Sequence, residues 1–215
     1  MSTLLHIDAS PRSDRSVSRQ LTREFALAWE ESNPDGQIIY RDLGHNPVPL
    51  VTETFIAAVY TPPELRSPEL RAAISTSDQL VSELQAATDY VFGVPMYNFS
   101  VAAGFKAYID QIVIPGRTYA YTADGSGSRT GLLRGKKATV IMSRGWSYQN
   151  GSPLSGCDLQ EPWIQMILGF VGVTDIEFVA AEGTAHLDRG KVGRDEYLRP
   201  IREQARLKTR LGLAT

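Results

Sequence analysis

Three short segments of the chain combine polar side chains with glycine or aromatic residues where an apolar, strand-like run ends. The segments are residues 10–19 (SPRSDRSVSR), 95–100 (PMYNFS) and 143–146 (SRGW), and they follow apolar runs over residues 3–9, 90–94 and 138–142. Serine hydroxyls and arginines suit an anion, whereas aromatic and thioether side chains suit a flat ring. A ligand with both features would need all three segments at one site.

The first segment predicts an anion site. A helical pattern begins at about Ser16, so free backbone N–H groups and the positive end of the helix dipole would lie beside the hydroxyls of Ser10, Ser16 and Ser18. The alternative is an ordinary serine N-cap with solvated arginines.

The second and third segments suit a planar ligand less specifically. Met96, Tyr97 and Phe99 could wall a ring while Asn98 meets its heteroatoms, or these residues could form a hydrophobic cluster that closes the sheet edge. Ser143–Trp146 offers donors and a glycine that lets backbone approach a ligand. Arg144 fits a structural ion pair as well as a ligand contact.

Two glycine-rich stretches do not support nucleotide binding. Residues 125–131 (GSGSRTG) lack the dinucleotide-binding spacing and favour a surface hairpin, and residues 131–137 (GLLRGKK) lack the P-loop length and its Ser or Thr after lysine. ATP binding is therefore not indicated.

Apolar runs alternate with helical patterns along the chain. Strands are predicted over residues 3–9, 37–43, 90–95, 138–143 and 176–180, and helices from about 16 to 29, 69 to 87, 102 to 113, 161 to 170 and 195 to 211. This alternation predicts a doubly wound α/β fold, flavodoxin-like, with a five-stranded parallel sheet in the order 2-1-3-4-5 and helices on both faces. Ligands of such folds bind at the carboxyl ends of the strands.

Three proline-containing stretches carry further expectations. Pro95 is expected to end its strand because it has no N–H to donate, and Pro200 to disturb the last helix. Residues 44–68 are expected to be irregular and to lie near a ligand or an interface. No linker divides the chain, so one domain over residues 1–215 is expected.

Composition limits the function classes. The chain has 215 residues and a formal charge of −2, so no cationic surface for nucleic acid is expected. Neither a signal peptide nor a span of about 20 apolar residues is present, which favours a soluble, cytoplasmic protein without membrane contact. Cys157 is the single cysteine, and the three histidines lack ligand spacing, so no metal site is expected and structural or surface roles are favoured for His6, His45 and His186.

Together the three segments resemble those of the FMN-dependent NADH:quinone oxidoreductases, also called azoreductases. The resemblance spans nearly the whole chain and includes Gly135–Ala138, Leu168–Asp175 and Ala181–Gly183. It implies tightly bound FMN, with the phosphate at Ser10, Ser16, Val17 and Ser18, and the isoalloxazine between Met96, Tyr97, Asn98 and Phe99 on one side and Ser143, Arg144, Gly145 and Trp146 on the other.

The resemblance also implies the reaction. NADH or NADPH would deliver hydride to flavin N5, and a quinone or azo acceptor would then occupy the same face in a ping-pong cycle that needs no catalytic side chain. Tyr121 and Trp146 are the candidate substrate contacts. The family usually has a second glycine at position 146, and a tryptophan there would be strained if its φ were positive.

A homodimer is a further implication of the resemblance. The interface candidates are the connection Pro47–Pro68 and the helix Trp163–Leu168. Two other functions stay open at this point. A flavodoxin-type electron carrier would bind FMN but is typically strongly acidic, and an acyl-carrier-protein phosphodiesterase would need a metal or acid–base cluster that the sequence does not indicate.

Overall fold

The protein is described here from a computed structural model, which covers residues 2–122 and 127–211, with side chains up to Arg206. Its main sheet contains five parallel strands in the order β2-β1-β3-β7-β8, which confirms the predicted order and the flavodoxin-like α/β class. The bounds are β1 Thr3–Asp8, β2 Gln37–Asp42, β3 Asp89–Tyr97, β7 Lys137–Ser143 and β8 Asp175–Ala181.

Helices cover both faces of this sheet. They are α1 Val17–Ser32, α2 Glu53–Tyr60, α3 Pro68–Ala86, α4 Ala103–Ile112, α5 Gln160–Val171, α6 Thr184–Asp188 and α7 Arg194–Leu211, with short 3-10 turns at Pro63–Leu65 and Ser155–Cys157. Residues from α1 and α7 share one apolar core, and residues from α2 to α5 share the other. The predicted two-layered cover of the sheet is thereby confirmed.

Alternation along the strands divides the two cores. Leu5 and Ile7 of β1 point to the α2–α5 side, whereas Leu4 points to the α1–α7 side. Because alternate side chains of a strand point to the same face, His6 and Asp8 lie on the face of Leu4, and both are almost fully buried. Because a buried carboxylate needs bonding partners, Asp8 ties the end of β1 to the helix above it.

Two expectations about proline-containing stretches are wrong, those on Pro95 and on the irregularity of residues 44–68. β3 continues past Pro95, which pairs in register with Ser143 of β7. Met96 and Tyr97 then turn away from the parallel sheet and pair with β4, Ser100–Val101, as an antiparallel hairpin. The stretch 44–68 contains α2 and a 3-10 turn, and α7 runs through Pro200 as one helix.

A second, two-stranded sheet consists of β5, Tyr119–Tyr121, and β6, Arg129–Gly131. It confirms the hairpin predicted for the first glycine-rich stretch, residues 125–131, although residues 123–126 of its connection lie outside the described part of the chain. Across residues 2–122 and 127–211, every helix is too short or too polar to cross a bilayer.

Candidate functional site

A cleft lies at the carboxyl ends of β1, β3 and β7, where the order of strands reverses. It holds about 600 Å³ of empty space, including the part open to solvent, and is lined by Ser10, Arg12, Ser16, Val17, Pro95, Met96, Tyr97, Ser143, Gly145, Thr184 and Asp188. This is the position that ligands take in doubly wound folds. All three segments singled out in the sequence reach it.

One end of the cleft is formed by the N-terminus of α1, here called the phosphate end. Ser16 is the N-cap, and its hydroxyl accepts the N–H of Arg19 at 3.3 Å and lies 3.3 Å from the hydroxyl of Ser18. The hydroxyl of Ser10 accepts the N–H of Arg12 at 3.2 Å. Ser10 and Ser16 are only 1% and 2% exposed, so their hydroxyls are fixed donors for an anion at the helix end.

A glycine brings α1 close to the sheet. A Cβ at Gly93 would lie 2.6 Å from a carboxylate oxygen of Asp8 and 2.9 Å from the methyl group of Thr22. Without that side chain, the hydroxyl of Thr22 donates to Asp8 at 2.8 Å. The bond holds α1 against β1, so the helix end and the end of the strand face the same cleft.

An ion-pair network lies beneath the first loop. Arg19 pairs with both carboxylate oxygens of Asp42, and the ring of His45 bonds the same carboxylate at 2.8 Å. Burial alone would raise the pKa of Asp42, but these bonds hold it well below its usual value. Burial, with the nearby carboxylate of Asp8, raises the pKa of Tyr40 to about 12, so its hydroxyl stays protonated and donates to Asp8 at 3.1 Å.

The other end of the cleft, here called the ring end, begins with the β3–β4 hairpin. Its two-residue turn is Asn98-Phe99, with φ of 48° and 71°. Positive φ at both central residues is the pattern of a type I′ turn, which matches the twist of a hairpin. Asparagine tolerates this conformation, but for phenylalanine it is strained. The turn leaves Phe99 half exposed, with its ring 6.5 Å from that of Tyr148.

Arg144 holds the ring end from behind. Its guanidinium is 3% exposed and pairs with Asp158 at 2.8 Å, Glu161 at 3.3 Å and Glu182 at 3.4 Å. It also bonds Gln160, whose amide donates to the carbonyl of Val94 at 3.0 Å. These bonds join the ends of β3, β7 and β8, so Arg144 has the structural role and does not line the cleft.

The helix α6 forms the rim opposite the first loop. Asp188 accepts two bonds from the guanidinium of Arg12, at 2.8 and 3.0 Å, across the cleft. Trp146 packs edge-on against His186 and beneath the guanidinium of Arg189. The backbone of Trp146 does not have positive φ, so the strain considered for that position is not present.

The structure brings together seven of the predicted site residues, which are Ser10, Ser16, Val17, Met96, Tyr97, Ser143 and Gly145. Six others do not line the cleft. Ser18 is buried behind Ser16, Arg144 is enclosed by carboxylates, and Asn98, Phe99, Trp146 and Tyr121 are exposed near or beyond its edge. Tyr121 lies on β5, where it contacts Tyr119 and Arg129.

Sequence reasoning missed several cleft residues. Thr184 and Asp188 belong to α6, which follows β8, and the strand-end rule could have indicated them. Arg12, in the first segment, also lines the cleft. Two histidines also contact the loops. His45 lies 3.3 Å from the hydroxyl of Ser13, and His186 packs on Trp146.

The donors and the shape of the cleft fit FMN. Two buried hydroxyls and a helix N-terminus suit a phosphate. The edge formed by Met96, Tyr97 and Gly145 suits a flat ring, because Gly145 has no side chain to keep the ring away from the backbone. A position beside Gly145 is open, since a Cβ there would touch only Ala185, at 4.0 Å.

Comparisons with known proteins agree with this geometry. A family described by its flavodoxin-like fold matches residues 2–205. The FMN-dependent NADH:quinone oxidoreductase of Nostoc punctiforme is 52% identical over 84% of this chain and 87% of its own length. Among solved structures, an azoreductase from Bacillus anthracis is 25% identical, with a TM-score of 0.84 over 97% of this chain and 99% of that one.

A further solved structure shares the fold. It is an FMN-dependent NADH-azoreductase from Bacillus anthracis in complex with FMN, 24% identical, with a TM-score of 0.85 over 100% of both chains.

Proposed function

Because this chain belongs to the family of FMN-dependent NADH:quinone oxidoreductases with a flavodoxin-like fold, we propose that it is an FMN-dependent NAD(P)H oxidoreductase that reduces quinones, azo compounds or both. The observation that carries the proposal is the cleft, which has buried anion donors at one end and an open aromatic edge at the other. An electron carrier or a phosphodiesterase has no comparable support.

The residues of the chain bind and orient the cofactor in this proposal. Ser10, Ser16 and Val17 hold its phosphate, with Ser18 supporting Ser16 from behind. Met96, Tyr97, Ser143 and Gly145 border its ring. Bound FMN supplies the two-electron redox chemistry. Asn98, Phe99 and Trp146 lie at the exposed edge, where they are placed to contact the reactants rather than the cofactor.

Donor and acceptor use the open side of the cleft one after the other, in a ping-pong order. Among the residues that the structure describes, the charged groups that line the cleft are Arg12 and Asp188, which pair with each other and are partly exposed to solvent. Protons therefore come from solvent through the open edge. Tyr121 would act as a substrate contact only where a second chain brings it over the cleft.

An anaerobic visible spectrum tests the proposal. The purified protein is reconstituted with FMN, excess FMN is removed, and spectra are taken after NADH or NADPH and again after a small quinone or a soluble azo dye. Flavin bleaching by the nicotinamide and its recovery with the acceptor are expected. Absence of bound flavin, or flavin that neither nicotinamide reduces, would reject the proposal.

A homodimer is supported by an exposed apolar surface on the α2 side. Leu50, Tyr60 and Leu65 are each at least 70% exposed, and this group is here called the 50–65 surface. Exposed patches of this kind are typical of interfaces. In α5, by contrast, Ile164 and Leu168 belong to the core.

Sedimentation at micromolar concentration tests the dimer. The wild-type chain is expected to sediment as a dimer, and the double variant Leu50→Glu, Tyr60→Glu as a monomer. The control is Leu27→Glu, a half-exposed position on α1 away from the 50–65 surface. A monomeric wild-type protein would reject the interface. A cytoplasmic location and a single domain over residues 1–215 complete the proposal.

A further inference from the structure

The carbonyl of Ser10 is bonded by Arg19 and lies against the backbone of Gly44. The guanidinium of Arg19 donates to it twice, from Nε at 3.0 Å and from Nη2 at 2.6 Å. Gly44 leaves room for this contact, since a Cβ there would be 1.9 Å from the carbonyl oxygen and 2.8 Å from Nη2 of Arg19. A residue that lines the phosphate end is therefore fixed through its backbone, by groups that do not line the cleft themselves.

Arg19 is in turn fixed by its charge partners. It pairs with both carboxylate oxygens of Asp42, lies 3.7 Å from Asp8, and is mostly buried. Asp42 also accepts the backbone N–H of Gly44 at 3.1 Å. The same carboxylate therefore bonds both Arg19 and Gly44, and these three residues are here called the clamp. The planar fork of arginine permits these bonds at once, and an ammonium group cannot reproduce that geometry.

We infer that Arg19, held by Asp42, is a positioning residue that fixes the phosphate end of the cleft and so gives the protein its preference for a phosphorylated flavin over riboflavin. This rests on the proposed function. Arg19 acts through the carbonyl of Ser10, which sets where the Ser10 hydroxyl points. Loss of the clamp leaves the ring end unchanged, because Arg19 contacts no residue there among those the structure describes.

The test compares dissociation constants for FMN and riboflavin, measured by flavin fluorescence on the apoprotein. Arg19→Gln is expected to weaken FMN by about tenfold or more, the size of one lost hydrogen bond to a charged group, and to change riboflavin by less than about twofold. A merely structural role would weaken both flavins together and would leave their ratio unchanged.

Two variants separate positioning from simple attraction between Arg19 and the phosphate. Arg19→Lys keeps the charge but loses the fork, and is expected to weaken FMN nearly as much as Arg19→Gln. Asp42→Asn removes a negative charge near the phosphate, which by attraction alone would strengthen FMN binding. If Arg19 acts by positioning, Asp42→Asn is instead expected to weaken FMN binding, because Asp42 holds Arg19 in place.

A matched control is Arg41, which precedes Asp42 in β2. Arg41 forms a comparable two-bond pair with Glu83 of α3, at 2.5 and 2.8 Å and with similar burial, and within the described part of the chain its guanidinium bonds no residue that lines the cleft. Arg41→Gln is expected to lower stability while leaving the ratio of FMN to riboflavin affinity at its wild-type value.

The outcomes are distinguishable. An unchanged ratio in Arg19→Gln, or wild-type FMN affinity in Arg19→Lys, would reject the positioning role and leave the proposed function standing. Stronger FMN binding by Asp42→Asn would do the same. A wild-type protein that binds neither flavin would reject the proposed function and the positioning role together.

Discussion

The two ends of the cleft are held by two buried arginines that work differently. At the phosphate end Arg19 bonds a backbone carbonyl of the loop itself, so the ligand-facing residue Ser10 is fixed directly. At the ring end the guanidinium of Arg144 bonds side chains, among them the carboxylates of Asp158 and Glu161 at the start of α5 and of Glu182 after β8. The first arrangement fixes one anion position, whereas the second joins strand ends and leaves the ligand-facing edge exposed. Cofactor affinity is therefore expected from the first and reactant access from the second.

The largest expected effect concerns Arg144. Arg144→Met would leave the carboxylates of Asp158 and Glu182 buried without their cation, and loss of one partner from such a cluster typically costs about 3–5 kcal/mol in free energy of unfolding. Urea denaturation measures it. Arg202→Met, which removes an exposed pair with Asp195, is the control and should stay within about 0.5 kcal/mol. A loss near that of the control would mean that Arg144 does not hold the ring end.

The next effect separates the serines that line the cleft from the one behind them. Ser10→Ala with Ser16→Ala should weaken FMN by roughly tenfold or more, because hydroxyl bonds to a charged phosphate are lost. Ser18→Ala alone should cost less, since its hydroxyl reaches Ser16 and not the cleft. Fluorescence titration with FMN gives both values. Equal losses would show that Ser18 also binds the phosphate.

A smaller effect of opposite sign is expected at the ring end. Phe99→Gly should raise the free energy of unfolding by about 1 kcal/mol, since Asn-Gly is the preferred pair for a type I′ turn and strained φ costs about 1–3 kcal/mol. The acceptor KM should rise while FMN affinity stays the same. The control is Asn98→Gly, which should raise the free energy of unfolding by less than Phe99→Gly, because asparagine already tolerates positive φ. Unchanged stability and KM would show that the turn is neither strained nor in contact with acceptors.

The smallest effect is a pH dependence of the phosphate end. The folded-state pKa of Asp42 lies below its unfolded value of about 4, so its stabilisation is complete above that pH and is lost as pH falls toward the folded pKa. The difference in free energy of unfolding between wild type and Asp42→Asn should therefore shrink from about pH 5 to pH 2. A constant difference across that range would contradict the ion pair with Arg19.

The fold was largely predictable because its signals are local. Each buried strand is an apolar run and helical spacing recurs between the strands, so the crossover rule leaves only a few doubly wound orders, of which the flavodoxin-like one is observed. The hairpin after Pro95 was not predictable in the same way. Proline lacks an N–H, yet β3 continues because Pro95 pairs where its partner strand ends and the chain then pairs with β4.

In the site, too, the residues with local sequence signals were predictable and those that depend on distant contacts were not. Ser10 and Ser16 could be identified because a serine-rich loop before a helix has a physical meaning in isolation. Arg19 could not, because its importance depends on Asp42 and Gly44, which come from another strand and its loop. Arg144 was singled out, but only the structure shows the acidic residues that turn its side chain away from the cleft.

The ion pair between Arg12 and Asp188 joins residues that are 176 positions apart. During synthesis at about 5–20 residues per second, the first loop leaves the ribosome many seconds before its partner on the rim. The phosphate end needs residues up to Gly93 of β3, which lets α1 pack on the sheet, whereas the rim closes after almost the whole chain has emerged. The contact between the first loop and the rim is therefore among the last that the cleft can gain during synthesis.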